Sequence, residues 1–173
     1  GQINYGSAGN GGISHLVPEM FKNATGLFMV HIPYRGSAPA FTDLMAGQVQ
    51  FMAESIPQAA NYHRQGKVRA LAVTSRERSV ALPDVPTVIE SGLPGFEVVG
   101  FYGFLAPAGT PKDVIALLNR EISLALKSPD LVRQMTDAGI DIRLSSPPEF
   151  SKLIRDDIVK WGSVIKRAGL KMD

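Results

Sequence analysis

The sequence has no cysteine, so disulfides and thiolate metal sites are excluded and the redox compartment cannot be read from it. It has no apolar run of about 18 residues, the least that spans a bilayer as a helix, and its first residues lack the basic, apolar and small-residue order of a secretory signal. A charged block of either sign is missing too. Its 18 Lys and Arg against 16 Asp and Glu are scattered and leave a net charge of +2, which argues against nucleic acid as the main partner. Histidine is scarce: His15, His31 and His63 stand a helix or a strand apart, with no His-x-x-x-His pair and no carboxylate cluster at ligand spacing, so no metal site is expected. What is present, 173 residues of which 45% are hydrophobic, suits a globular chain with a proper core in one domain, or one and a part. The opening GQINYGS begins almost inside a strand, and the expectation is that the sequence is a fragment or a processed product.

Apolar periodicity gives the order of elements. Ile13, Leu16, Val17, Met20 and Phe21 recur at helical spacing after the opening loop, and LFMVHIPY, residues 27–34, reads as a buried strand. SAPAFTDLMAG predicts a helix with Ser37 as N-cap and Phe41, Leu44 and Met45 on one face, closed by Gly47. VQFMAE, residues 49–54, is the next strand, a short helix begins near Pro57, and VRALAVT, residues 68–74, is a further strand. This β-α-β-α-β-α-β order over residues 3–74 implies the α/β class, a mostly parallel sheet with right-handed crossovers and helices on both faces. A long irregular connection rich in proline and glycine follows, wrapped around one more strand at residues 98–105. Thr110 as cap and Pro111 in the first turn then start a helix whose buried stripe is Val114, Leu118, Ile122 and Ala125. Ser146 and Glu149 offer a capping box for a last helix ending at Gly169, with Phe150, Leu153, Ile154, Val159, Trp161, Val164, Ile165 and Ala168 as its apolar face.

In a parallel sheet the strand-to-helix junctions emerge at one edge, where ligands bind. Three junctions share that edge: GSAGNGG (Gly6 to Gly12), YRGSAP (Tyr34 to Pro39) and ESIP (Glu54 to Pro57). Each is small and polar and opens a helix, so free peptide N–H groups and the positive helix end converge there, as a site for anionic oxygens requires. The first loop lacks the Gly-Lys-Ser/Thr ending of a P-loop and fits a dinucleotide fingerprint only loosely, and no cofactor is expected. Candidate ligand-binding residues are Ser7, Ala8, Gly9, Asn10, Gly11 and Gly12 of the first junction, and Arg35, Gly36, Ser37 and Ala38 of the second, with Glu54 at the third. Arg35 reads either as a carboxylate partner or as a solvated loop arginine. Glu54 reads either as a contact for an amine or hydroxyl or as a solvated side chain. His15 packs or caps beside its loop. The competing enzymatic reading is a small α/β hydrolase or acyltransferase using Ser7 and His15, although Ser7 lies outside a Gly-x-Ser-x-Gly elbow.

Four stretches resemble, in order and spacing, the substrate-binding proteins of bacterial tripartite tricarboxylate transporters, the Bug or TctC family. They are NYGSAGNGGISHLVPEMF, VHIPYRGSAPAFTDLMAGQVQFM, VRALAVTSRERSVALPDVPTVIESGLPGFE and GFLAPAGTP, and the likeness covers essentially all 173 residues. The resemblance implies a lobe of a type II periplasmic binding-protein flytrap with a C-terminal helical segment, and a receptor that catalyses nothing. It implies a small carboxylate ligand gripped by backbone amides and ordered water, a periplasmic location, and the membrane subunits of a tripartite transporter as partners. Residues 1–100 are then the second ligand-binding lobe, and residues 101–173 a crossover strand and C-terminal helices that pack back on a first lobe. Left uncovered, those helix faces are expected to drive self-association. The sequence departs from the family at Gly12, where a second serine is common, and at Arg35, Glu54 and Phe101, where Lys, Asp and Trp are common.

Overall fold

Alternation along β1 (Ile3–Ser7) places Tyr5 on one face of a sheet and Gly6 on the other, and this decides where the neighbouring helices lie. In the computed structural model, which describes residues 3–170, the chain continues through α1 (Ile13–Thr25), β2 (Met29–Pro33), α2 (Ser37–Met45), β3 (Phe51–Met52) and α3 (Ile56–Arg64). After a long wrap come α4 (Lys112–Ala125), α5 (Pro129–Asp137) and α6 (Pro147–Ala168). The three strands are parallel in the order β2-β1-β3, with Tyr5 level with His31 and Phe51. Tyr5 faces α1, where Glu19 accepts its hydroxyl proton at 2.6 Å. Gly6 faces α2: a Cβ there would meet Tyr34 and Val49 at 3.3 Å and Ala40 at 3.7 Å. Helices therefore cover both faces, as right-handed crossovers to the two sides of a central strand require.

The core sits in the first hundred residues. Helix α1 buries six residues in succession, Ser14 to Glu19, because it lies between the sheet and α6. Val17 joins Val88, Phe96 and Val98 in one cluster, against which Phe21 and Trp161 pack, and Ala60, Val73, Leu82 and Val85 form a second. Burying such side chains stabilises a fold by roughly 1.5–3 kcal/mol each. Pro18 stands inside α1, so the Ser14 carbonyl lacks its helical N–H partner.

Two expected strands are absent among the described residues. Of residues 68–74, only Val73 pairs: its N–H donates to the Pro86 carbonyl at 2.8 Å and its carbonyl accepts from Val88 at 2.9 Å. Both its backbone groups are thus taken by one turn of the following wrap, and the run extends no ladder: Ala70 and Val73 join the second cluster, Ala72 packs on the first, and Leu71 stands exposed. Residues 98–105 leave the core after Val98, which donates to the Thr74 carbonyl at 2.8 Å; Phe104 and Leu105 stand largely exposed.

The start positions of two helices also differ from expectation. Gly36, not Ser37, is the N-cap of α2, because φ of +103° at that position suits only glycine. Thr110 does not cap α4; its hydroxyl donates to the Pro107 carbonyl at 2.8 Å, and Pro111 occupies the cap position. The expected stripe of α4 is present, but the helix holds no buried residue. Helix α6 matches its expected bounds and carries the capping box, with Ser146 and Glu149 serving each other's backbone N–H, while its apolar face too buries no residue completely. Helix α5 was not foreseen.

Candidate functional site

Strands β1, β2 and β3 end at Ser7, Pro33 and Met52, and α1, α2 and α3 begin at Ile13, Ser37 and Ile56. Parallel strands share a direction, so these three junctions meet at one sheet edge, as the sequence pattern requires. The first two are tied together directly. Tyr34 N–H donates to the Ser7 carbonyl at 2.9 Å and Gly36 N–H to the Ala8 carbonyl at 3.0 Å. Within the first loop, Ala8 N–H donates to Ser14 Oγ at 3.0 Å, Gly9 N–H to Ser7 Oγ at 3.2 Å and Gly11 N–H to His15 Nδ1 at 3.1 Å. Gly9 and Gly11 take φ of +144° and +74°, which lets the loop fold back on these acceptors.

This bracing redistributes the roles expected of the loop residues. The amides of Ala8, Gly9, Gly11 and Gly36 are engaged inside the protein and set the shape of the edge. The donors that helix geometry leaves without an intrahelical carbonyl are those of Ile13 and Ser14 on α1 and of Ser37 and Ala38 on α2. Ser7 is fully buried beneath the loop, Asn10 and Gly12 stand exposed at its rim, and the exposed Arg35 holds no ion pair among the described residues. Glu54 is fixed at the third junction: Ser37 Oγ donates to its Oε2 at 2.6 Å and Ser55 N–H to its Oε1 at 2.8 Å. Its charge thus lies beside the head of α2.

Ser14 and His31 were not among the residues expected to shape the site. Ser14 has a readable signal, a hydroxyl in the first helical turn after a glycine loop, where it can reach back to loop amides. His31 has none, because its place depends on the register of β2 against β1. Ser7 Oγ lies 2.6 Å from His31 Nε2, not beside His15. A hydroxyl with no exposed surface meets no substrate, and the Ser7–His15 hydrolase reading fails on this geometry.

Electrostatics beneath the loop favour neutral rings. Burial lowers the pKa of His15, with Glu19 opposing and Lys22 adding to the effect. Burial and the neighbouring His15 push His31 down to about 4. Burial alone would raise Glu19, but hydrogen bonds from Lys22 and Tyr5 outweigh it and leave the carboxyl below its usual range.

The profile of the tripartite tricarboxylate transporter family receptor, TctC, matches residues 1–170. A protein of the tcbD-tcbE intergenic region of Pseudomonas sp. strain P51 is 39% identical over 95% of this chain and 49% of its own length. Protein BugT of Bordetella pertussis is 36% identical over 99% of this chain and 53% of its own length. This chain thus spans about half the length of these curated relatives. Among solved structures, R. palustris Rpa4515 with adipate superposes at a TM-score of 0.86, 32% identical over 96% of this chain and 56% of that one. MatC of Rhodopseudomonas palustris with bound malate superposes at 0.78, 33% identical over 94% of this chain and 56% of that one. Proteins of this kind are solute-binding receptors rather than enzymes. A family profile matched from residue 1 to 170, on an α/β fold shared with solved solute-binding proteins, places the chain in the tripartite tricarboxylate transporter receptor family, TctC or Bug.

Proposed function

We propose that this chain carries the anion-gripping lobe of a periplasmic receptor, which captures a small carboxylate by closure of two lobes and hands it to the membrane subunits of a tripartite transporter. The observation that carries this reading is the pairing of the α1 and α2 heads, held side by side by the Gly36–Ala8 and Tyr34–Ser7 hydrogen bonds. Two positive helix ends at one edge favour an anion, and peptide donors there suit carboxylate oxygens. The adipate and malate of two structural relatives support a carboxylate here as well. Residues 1–100 form the lobe in this reading, and residues 101–173 run toward the other.

Within the site, Ser7 to Gly12 and Gly36 to Ala38 form the cradle, and its direct donors are the helix-head amides. Arg35 plays a secondary part. Glu54 disfavours a second anionic group beside α2 and favours an amine or hydroxyl, so Glu54→Gln widens acceptance toward ligands with a further carboxylate. Calorimetry or thermal shift of the full natural chain with a carboxylate panel including adipate and malate tests the reading. A bound ligand at 100 times its Kd adds about 2.7 kcal/mol of stability, and no response to any carboxylate overturns it. Gly9→Val, strained at its φ of +144°, is expected to weaken binding more than Arg35→Ala; the reverse order removes the backbone cradle.

A further inference from the structure

Beneath the loop of the cradle lies a stack of three rings. Tyr5 of β1 and His31 of β2 have ring centroids 4.9 Å apart, and His31 and His15 of α1 lie 3.8 Å apart and within 9° of parallel. The groups facing His15 are Tyr5 from β1, His31 from β2, and Glu19 and Lys22 from its own helix. Glu19 is already occupied, accepting from Lys22 at 2.7 Å and from Tyr5 at 2.6 Å.

A hydrogen bond fixes the protonation of His15 at one nitrogen. A ring nitrogen accepts only when it carries no proton, so the bond from Gly11 N–H requires His15 to be neutral at Nδ1. Ser7 Oγ accepts from Gly9 N–H at 3.2 Å and lies within hydrogen-bond distance of both the Gly9 carbonyl, at 3.1 Å, and His31 Nε2, at 2.6 Å. His15 holds the loop through Gly11 and His31 holds it through Ser7.

We propose that His15 is a positioning residue of the cradle, and that proton uptake on its Nδ1 frees the Gly11 peptide and weakens ligand capture at acid pH. A protonated Nδ1 turns a donor toward a donor, and the Gly11 peptide must rotate away. The charge also faces Lys22 and the stacked His31, so the two rings resist protonation together. The cradle therefore holds through neutral pH and loosens as pH falls below the ordinary histidine value of 6.5. Carboxylate binding as the output rests on the function proposed above; the response of the loop does not.

The test uses the full natural chain with adipate and malate as probes, titrated calorimetrically from about pH 7.5 to about pH 5, the range that charges a histidine. His15→Asn keeps an acceptor near Nδ1 but does not titrate, and His15→Leu removes the acceptor. The wild type is expected to lose about fivefold in affinity or more across the range relative to His15→Asn, the scale of one hydrogen bond. His15→Leu is weakened at every pH. The ligand-free protein is followed in parallel by NMR, where the Gly11 amide shift is expected to titrate with the His15 ring. A Gly11 amide that stays still while His15 titrates overturns the proposal, as does a wild-type pH profile in His15→Asn. Should neither probe bind at neutral pH, those ligands are lost to the receptor reading and the NMR titration decides the loop alone.

Discussion

The α/β half up to Val98 and the helical half beyond it are written in equally clear local signals, yet all buried residues among those described lie in the first. Helices α4, α5 and α6 bury none, although α6 has a capping box, proline in its first turn, basic residues in its last and Gly169 as a left-handed C-cap. Helix α1 has no side-chain cap and a proline in its interior, and it buries six residues in a row. Caps and periodicity decide that a segment is helical and which stripe is apolar. A facing surface decides whether the stripe becomes a core.

The sharpest test pairs one substitution from each half. Phe41 is 3% exposed and stacked on Tyr62 with centroids 4.4 Å apart, so Phe41→Ala is expected to cost about 3–5 kcal/mol in denaturant unfolding. Leu118 is 45% exposed, and Leu118→Ala is expected to cost below about 1 kcal/mol. Equal losses break the comparison, because they mean the α4 stripe is covered in solution. Light scattering on the 173-residue chain then shows whether a second copy covers it, the self-association expected of apolar helix faces.

Acid sensitivity is expected to be the next largest difference. Both His15 and His31 have folded pKa values below their ordinary one, so protons bind the unfolded chain more readily below pH 6.5, a window that reaches down to about 4 for His31. Stability is complete above 6.5 and falls with pH through that window, by at most about 1.4 kcal/mol per unit for each histidine and less where solvent screens it. Hydrogen exchange of β1, β2 and α1 at a series of pH values checks this. Loss confined to α4–α6 contradicts it.

Gly103 offers a smaller probe, of a contact inside the helical half. A Cβ there would overlap the Phe150 ring, so Gly103→Ala is expected to displace Phe150 from its edge-on packing with Phe101 and cost about 1–3 kcal/mol. Unchanged stability and an unmoved Phe150 resonance mean that this contact is loose. Smallest of all, Ser146→Ala removes the α6 cap at a cost of about 1 kcal/mol, read as faster exchange in the first turn of α6 with β1 unaffected.

The same contrast explains what could be read in advance. The β-α alternation to α3, the shared edge and the bounds of α6 follow from spacing and caps that sit next to one another in the chain. Residues 68–74 and 98–105 look like strands because strands and irregular segments can share the same apolar composition, and only the backbone pairing separates them: Val73 makes an isolated bridge, and the chain leaves the core after Val98. At the site, the glycine loop was legible, and so was His15 beside it. The Ser7–His31 contact was not, since it joins residues 24 positions apart through strand register. Nor was the engagement of the Ala8, Gly9 and Gly11 amides, which depends on where Ser14 and His15 turn their acceptors.

Trp161 is the only tryptophan in the chain, and it lies where α6 meets the cluster of Val17, Val88, Phe96 and Val98. Its indole N–H donates to Asp157 at 3.1 Å, the Lys160 ammonium stands 5.3 Å from the ring centroid, and Lys160 also reaches the Glu97 carbonyl at 2.6 Å. The protein thus carries its own optical gauge at the seam between its halves. Detachment of α6 shifts the emission to the red and changes its intensity while the strands remain paired, so fluorescence and far-ultraviolet dichroism part company on the way to unfolding.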